Sequence, residues 1–154
     1  MTDETRIAYY ASPIGTLEIS YTDRAVRGIR LTEKSGVSVR SALSDEAFNQ
    51  LSEYFDGIRT TFDFPIEIQG APFFKRVLTE LRKIPYGETV SYKTLAILSG
   101  SPNACRAVGN AVHRNPLFIV VPCHRVISND GSIGGFAYGT DLKKFLLSHE
   151  NVHI

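Results

Sequence analysis

The hydrophobic pattern of the first half of the chain predicts a small sheet with one helix. Apolar and polar residues alternate in TLEISY, which follows the turn residues SPIG, and again in TFDFPIEI, where Pro65 is typical of an edge strand. Between these segments, SDEAFNQLSEYFDG has helical spacing. We expect Ser44 to cap that helix and Gly57 to end it. Nothing in residues 1–69 suggests catalysis, so this part reads as a scaffold domain.

The pattern of the second half is mainly helical. Apolar residues recur at helical spacing in PFFKRVLTELR, which ends before Pro85. Two shorter helices follow: SYKTLAIL with Ser91 as its cap, and a helix for which we expect Ser101 as cap and Pro102 as the first helical residue. Two short helices joined by a tight glycine turn form a helix-turn-helix, which is common in DNA-binding proteins but not confined to them.

The last third combines a buried segment, a loop and a helix. LFIVV predicts a buried strand in which Pro122 keeps Val121 extended, so that Cys123 lies where the strand meets a loop. The turn-rich loop SNDGSIGGFAYGT can wrap a pocket, and Thr140 is the expected cap of the final helix, TDLKKFLLSHE. We expect the buried face of this helix to contain Leu142, Phe145, Leu146 and His149.

Together these elements predict an α+β protein with two domains. Residues 1–69 would form a small N-terminal antiparallel sheet with a helix. Residues 70–154 would form a mostly helical C-terminal domain with a helix-turn-helix and the cysteine of the PCHR run.

Charge is divided unevenly between the two halves, although the whole chain of 154 residues has a net charge of only +1 and 43% hydrophobic residues. Residues 1–69 contain 7 Lys and Arg against 11 Asp and Glu, whereas residues 70–154 contain 10 against 5. The basic half suggests an anionic partner, although chance segregation of surface charge is the alternative. Because MTDETRIAYY lacks a signal pattern and no apolar run is long enough to span a bilayer, we expect a cytoplasmic protein without a membrane partner.

Cys105 and Cys123 are the only cysteines, and neither belongs to a CxxC motif. The four histidines show no ligand-like spacing, and residues 1–69 contain neither cysteine nor histidine, so we expect no metal and no cofactor. In a reducing compartment both thiols should be free. We expect Cys105 to be a small helix residue.

A cysteine at the end of a buried strand often only fills space. Here His124, Arg125 and the helix carrying Arg114 bring positive charge near Cys123, and positive charge favours the nucleophilic thiolate. Neighbouring residues of an extended segment point to opposite sides, so we do not expect a direct bond between His124 and the thiol. Glu150 could orient the imidazole, which suggests a Cys–water–His–Glu relay.

Several blocks of residues 70–154 resemble the O6-alkylguanine-DNA alkyltransferases, in that family's order and spacing: GETVSYKTLA, RAVGNAVHRNP, VPCHRVI, GGFAYG and FLLSHE. These are suicide repair proteins that move an alkyl group from damaged guanine to their own cysteine. The resemblance implies a monomer whose partner is double-stranded DNA containing O6-alkylguanine. Residues 1–69 resemble the family only in size and in their strand-rich pattern.

The resemblance also implies roles for individual residues. Cys123 matches the alkyl acceptor, His124 and Glu150 match the activating relay, and Asn115 matches the hinge asparagine that braces the turn before the active site. Tyr92 matches the tyrosine that crowds the phosphate beside the target and donates a proton to the leaving guanine.

The DNA contacts implied by the resemblance lie on the second helix of the helix-turn-helix, which enters the minor groove. Arg106 matches the arginine that fills the gap left by the flipped nucleotide, Ala107 and Gly109 are small enough for close approach, and Arg114 adds positive charge on the same polar stripe. The residues expected around the flipped base are Val126, Phe136, Ala137 and Tyr138. Aromatic Phe136, Tyr138 and Phe118 depart from animal members of the family and leave the tolerance of large O6 substituents open.

Each assignment has a simpler alternative. Arg106 could be a solvated helix charge, Tyr92 could pack on Pro85, and Asn115 could be an ordinary helix C-cap. For the whole protein, two other functions stay open. One is a non-catalytic reader of damaged DNA, against which the presence of Cys123 argues. The other is a cysteine hydrolase that turns over repeatedly and has no need of a basic helix pair.

Overall fold

The computed structural model describes residues 4–154, and these form two compact units that divide between Gln69 and Gly70. The first unit is built on an antiparallel sheet of three strands in the order β1–β2–β3, with β1 at Arg6–Ser12, β2 at Gly15–Tyr21 and β3 at Val26–Leu31. The alternation in TLEISY is confirmed, because its apolar residues are all buried in β2: Leu17, Ile19 and Tyr21.

TFDFPIEI does not form the predicted strand, although its residues alternate in exposure as predicted. Its apolar residues are less exposed than their neighbours, but the segment pairs with β3 only through a parallel bridge between Val26 and Ile66. Val26 N donates to Pro65 O, and Glu67 N donates to Val26 O, each at 2.9 Å. Because Pro65 has no N–H to donate, the segment cannot extend this pairing into a regular ladder.

The helix of the first unit, α1 (Ala42–Phe55), is capped by Ser41, so the predicted cap at Ser44 is wrong by one turn. Ser44 is the third helical residue, and the two serines bond reciprocally. Ser44 N donates to Ser41 Oγ at 3.2 Å, and Ser41 N donates to Ser44 Oγ at 2.9 Å. This reciprocal pairing satisfies two backbone donors at once. Gly57 follows the helix with φ 77°, as expected for a stop.

The second unit contains four helices and a short parallel ladder. The helices are α2 (Pro72–Arg82), α3 (Tyr92–Leu98), α4 (Cys105–His113) and α5 (Thr140–His149); the ladder joins β4 (Val90–Ser91) to β5 (Val126–Ile127). Helices α3 and α4 form the predicted helix-turn-helix, with Ser91 capping α3 and Gly100 at φ 79° between them. None of the helices in residues 4–154 is long and apolar enough to cross a membrane.

Two helix starts in this unit differ from the prediction. Helix α4 begins at Cys105 because Ala104 N donates to Ser101 O at 2.9 Å and closes a separate turn before the helix, so Ser101 is not its cap. Helix α5 has Gly139 at its N-cap, and Thr140 is its first helical residue.

The buried face of α5 also differs from the prediction. The residues that it buries are Lys143, Leu146 and Leu147, whereas Phe145 is 46% exposed. The predicted face contained Leu142, Phe145, Leu146 and His149 and did not include Lys143. A charged residue inside a helix face requires polar partners. Those partners lie in the active-site region.

Candidate active site

The backbone that presents Cys123 is a compact series of turns and not a strand. LFIVV is buried as predicted, but Ile119 has φ 75° and Val121 N donates back to Leu117 O at 2.8 Å. Pro122 then has φ −81° and ψ 69°, and Cys123 N donates to Val121 O at 2.8 Å. These values describe an inverse γ-turn. Apolar composition therefore predicted the burial correctly and the conformation wrongly.

Asn115 bonds both ends of this turn series. Its Nδ2 donates to Val121 O at 2.7 Å, and its Oδ1 accepts from Leu117 N at 3.0 Å. The Asn115 amide acts here as both donor and acceptor. No other common side chain of this size offers both groups in this geometry, so we expect no substitute for asparagine at this position. The structure thus places Asn115 between the end of α4 and the turn that carries Cys123.

His124 and Glu150 meet inside the protein. Cys123–Arg125 form one turn of 3-10 helix, and His124 Nε2 lies 2.6 Å from Glu150 Oε2, with both side chains fully buried. Glu150 follows the last residue of α5, so α5 sets its position. The other imidazole nitrogen, Nδ1, is buried and has no hydrogen-bond partner among the described residues. The structure therefore brings His124 and Glu150 together, as predicted. The Nδ1 atom of His124 stays available for a further hydrogen bond.

Arg125 completes this cluster, and the sequence reading missed its role. Its Nε donates to Glu150 Oε1 at 2.8 Å and its Nη2 to Oε2 at 3.1 Å, while Nη1 donates to Ile84 O at 2.7 Å. The Arg125 charge therefore pairs with Glu150 and not with the thiol. Gly87 N also donates to Glu150 Oε1, at 3.0 Å. The position of Arg125 beside His124 was the only sequence signal for this role.

The electrostatics of the pair follow from these contacts. Burial alone would raise the pKa of the Glu150 carboxyl, but hydrogen bonds and charge from His124 and Arg125 outweigh it and hold that pKa well below its usual range. Burial lowers the pKa of His124, against the opposing effect of Glu150. The resting site therefore contains a carboxylate and a neutral imidazole at neutral pH.

Cys123 is only 6% exposed, and burial raises the pKa of its thiol to about 11. The Asn115 amide and the Lys143 ammonium act in the opposite direction without overcoming burial. The expectation of a resting thiolate is therefore wrong, because Arg125 is engaged by Glu150 and desolvation dominates. At neutral pH the resting site therefore holds a protonated thiol.

Lys143 is the second site residue that the sequence reading missed. It is fully buried, and its Nζ donates to Val126 O at 2.6 Å and to Gly135 O at 3.0 Å. Burial lowers the pKa of Lys143 to about 8, and the negative charge that Cys123 carries when ionised acts in the opposite direction. At neutral pH it is thus a cation next to the thiol. No period or motif in the sequence distinguishes it from its neighbour Lys144, which is exposed.

The predicted DNA-contacting residues lie on or beside the outer face of α4, since Arg114 follows its last residue and Tyr92 is the first residue of α3. Arg106, Ala107 and Arg114 are exposed, and the Arg114 guanidinium lies 5.4 Å from the centroid of the Phe74 ring. A Cβ added to Gly109 would lie 3.8 Å from two atoms of the Tyr92 ring, so this ring packs over the glycine.

Next to this face is an open groove of about 590 Å³. It is lined by Tyr92, Cys105, Arg106, Gly109, Asn110, His113, Ser128 and Asn129. Burial and the nearby Cys123 and Cys105 raise the pKa of Tyr92, so its hydroxyl is protonated at neutral pH.

Two of the predicted pocket residues, Phe136 and Tyr138, form an aromatic cluster with Phe118. The ring centroids of Phe118 and Tyr138 are 4.7 Å apart, and those of Phe136 and Tyr138 are 5.9 Å apart. Ala137 is exposed between the two aromatic residues, and the Val126 carbonyl accepts from Lys143. Within residues 4–154, no group of three or more His, Cys, Asp or Glu side chains is arranged to hold a metal ion.

The second unit combines a helix-turn-helix with a buried free cysteine and a buried His–Glu pair, and this combination indicates the class of protein to compare it with. Residues 72–152 match the family described as 6-O-methylguanine DNA methyltransferase, DNA binding domain. Residues 5–68 match the ribonuclease-like domain of the same methyltransferases. The chain belongs to the O6-methylguanine DNA methyltransferase family.

Relatives along most of the chain agree with this placement. A methylated-DNA–protein-cysteine methyltransferase of Mycolicibacterium paratuberculosis is 40% identical over 92% of this chain and 90% of its own length. The constitutive enzyme of that name from Bacillus subtilis is 39% identical over 94% and 96%. The crystal structure of Mycobacterium tuberculosis OGT in complex with DNA superposes with a TM-score of 0.86 at 37% identity, covering 94% of this chain and 91% of that one. The family resemblance is confirmed, and it extends to the first half.

Proposed function

We propose that this chain repairs DNA by irreversible, stoichiometric transfer of an alkyl group, above all methyl, from O6-alkylguanine to Cys123. O4-alkylthymine would be a poorer substrate. The observation that carries the proposal is the buried Cys123 thiol in the same unit as the 2.6 Å His124–Glu150 pair, in a chain of this family. Relatives named methylated-DNA–protein-cysteine methyltransferases support assignment as a protein-cysteine S-methyltransferase, for which we propose a single turnover.

The first step is removal of the thiol proton. Because the thiol of Cys123 has a pKa of about 11 and His124 is neutral at rest, the imidazole accepts the proton through Nδ1, by way of a water molecule. Glu150 then faces an imidazolium at Nε2 and stabilises its charge. Arg125 keeps the carboxylate ionised and oriented. The buried Lys143 ammonium stabilises the developing thiolate.

The second step is displacement at the alkyl carbon. The sulfur–carbon bond forms, the carbon–O6 bond breaks, and its electron pair goes to guanine, whose ring accepts a proton from the Tyr92 hydroxyl. The product thioether has no activated leaving group, so water does not regenerate the thiol. One molecule therefore repairs one base.

For the alkyl group to reach Cys123, the damaged base must be flipped out of the DNA duplex. Cys123 is 6% exposed, so an alkyl group within stacked DNA cannot reach its sulfur. Helix α4 would lie in the minor groove, with Ala107 and Gly109 allowing close approach and Arg106 occupying the space of the flipped nucleotide. Arg114 and the other basic residues of this unit would contact phosphates, and the flipped base would lie against the Phe136–Tyr138 rim.

Residues 1–69 act as a scaffold domain and residues 70–154 as the DNA-binding and acceptor domain. The protein works as a monomer, without a cofactor, in the cytoplasm, where its substrate is double-stranded DNA.

Intact-protein mass spectrometry after incubation with an O6-methylguanine duplex tests the proposal. The expected result is one methyl group per protein molecule, located on Cys123 by peptide mapping, together with restored guanine in the duplex. Binding without a change of mass would replace the proposal with a damage reader. Repeated turnover of an ester or peptide without an adduct would replace it with a cysteine hydrolase.

A further inference from the structure

The last residue of α4, His113, lies beside the hydroxyl of Tyr92 across the helix-turn-helix. The Tyr92 hydroxyl oxygen and His113 Nε2 are 3.4 Å apart, and the two ring centroids are 6.5 Å apart at an angle of 45°. This is a long hydrogen bond, and hydrogen bonds of a resting site commonly tighten when substrate binds. No motif in the sequence assigns a role to His113.

The His113 side chain is exposed, and its imidazole lies near both Tyr92 and the loop that contains Gly135. A Cβ on Gly135 would lie 3.7 Å from His113 Cε1, which is ordinary van der Waals contact. His113 follows Gly109 by four residues and Arg106 by seven, which puts all three on one face of the helix. All three line the groove next to Tyr92.

The groove offers His113 no acidic partner. Its described lining residues include hydroxyl, amide, thiol and guanidinium groups but no carboxylate. The charged and titratable groups that line the groove with the imidazole are Tyr92, Cys105 and Arg106. The Tyr92 oxygen is the side-chain atom placed within hydrogen-bond reach of Nε2.

We propose that His113 is a positioning residue for Tyr92: its Nε2–H donates to the Tyr92 oxygen, which leaves the tyrosine O–H directed at the flipped base. The inference rests on the proposed function. When the phenol proton moves to guanine, the oxygen gains negative charge and the hydrogen bond from His113 becomes charge-assisted and stronger. The proton lost by Tyr92 is the one that guanine gains, and His113 keeps its own.

The hydrogen bond from His113 would make it easier for Tyr92 to give up its proton. The partly buried Tyr92 is a weaker acid than free tyrosine, since desolvation and the neighbouring thiols oppose the phenolate. A donor aimed at its oxygen offsets part of that penalty at the moment when charge develops. Exposure of His113 would also suit a phosphate contact, so the experiment must separate the two roles.

The test compares single-turnover methyl transfer by the wild-type chain and by His113→Phe, His113→Gln, Tyr92→Phe and the double variant Tyr92→Phe/His113→Phe. Two substrates are used, a saturating O6-methylguanine duplex and the free O6-methylguanine base. His113→Phe should lower the rate constant about three- to tenfold on both substrates, the worth of one hydrogen bond. His113→Gln, which can donate from its amide, should restore most of the rate. In the Tyr92→Phe background, His113→Phe should have no further effect.

Other outcomes overturn the inference. A loss confined to the duplex and to its dissociation constant would make His113 a phosphate contact. Additive losses in the double variant would show that His113 does not act through Tyr92. If the wild type forms no Cys123 adduct, the proposed function fails. If the wild type forms the adduct and His113→Phe reacts at the same rate, only the role of His113 fails.

Discussion

The Glu150 carboxylate accepts from His124 at 2.6 Å and from Arg125 at 2.8 Å, and none of the three side chains is more than 6% exposed. One carboxylate at the end of α5 thus bonds both the His124 imidazole and the buried Arg125 guanidinium. The proposed chemistry and the stability of the fold would therefore depend on the same contacts.

Replacement of Glu150 should therefore be costly. Glu150→Gln leaves the Arg125 charge buried without its partner, and we expect a loss of about 3–5 kcal/mol in the free energy of unfolding at pH 7. Urea denaturation measures it, with the exposed Glu88→Gln as a matched control that should change little. A loss equal to that of the control would show that the pair does not stabilise the fold.

The same pair predicts an acid-sensitive stability. The folded-state pKa of Glu150 lies below that of an unfolded glutamate, so its stabilising contribution is fully present above the unfolded pKa of about 4.3. It decreases as pH falls below that value toward the folded pKa. The difference in unfolding free energy between the wild type and Glu150→Gln should shrink between pH 5 and pH 3, as measured by urea denaturation at each pH. A constant difference would contradict the linkage.

Lys143 should influence the rate through its charge. Because its pKa is about 8, we expect Lys143→Met to slow methyl transfer at pH 7 at least about tenfold, the effect of removing a nearby opposite charge from a developing thiolate. Above pH 8 the wild-type lysine loses its charge, so the ratio of wild-type to variant rates should fall. Single-turnover rates between pH 6.5 and 9.5 test this, with exposed Lys144→Met as control. A ratio independent of pH would assign Lys143 a packing role.

Replacement of Cys123 should abolish methyl transfer without weakening DNA binding. Cys123→Ala should abolish transfer and retain the dissociation constant for an O6-methylguanine duplex, because affinity comes from phosphates and α4. Mass spectrometry and fluorescence anisotropy measure the two properties. Cys105→Ala is the matched control and should still form one adduct. Loss of DNA binding in Cys123→Ala would argue against this division.

Replacement of Arg106 should impair repair mainly where a base must be flipped out of duplex DNA. We expect Arg106→Ala to reduce repair of the duplex much more than reaction with the free alkylated base, because the free base needs no stack filling. Single-turnover rates on both substrates give the comparison, and Lys144→Ala controls for the loss of one positive charge. Equal losses on the two substrates would contradict the stack-filling role.

Much of the fold could be read from local signals. Alternation identified β2, helical spacing identified α1 to α5, and the glycine turn identified the helix-turn-helix. Errors arose where tertiary contacts overrode local pattern. LFIVV is apolar enough for a strand, but Asn115 ties its ends into a turn. TFDFPIEI alternates correctly, yet Pro65 limits it to a single bridge.

By itself the sequence determined which residues are candidates for chemistry, and their roles stay predictions: Cys123, His124, Glu150 and the basic face of α4. These are side-chain identities at fixed spacing, which local reading can recognise. Only the tertiary structure decided their state. Burial keeps Cys123 protonated, Glu150 takes up the charge of Arg125, and α5 turns Lys143 inward. Solvation and charge pairing depend on distances between residues remote in sequence, and no period along the chain encodes those distances.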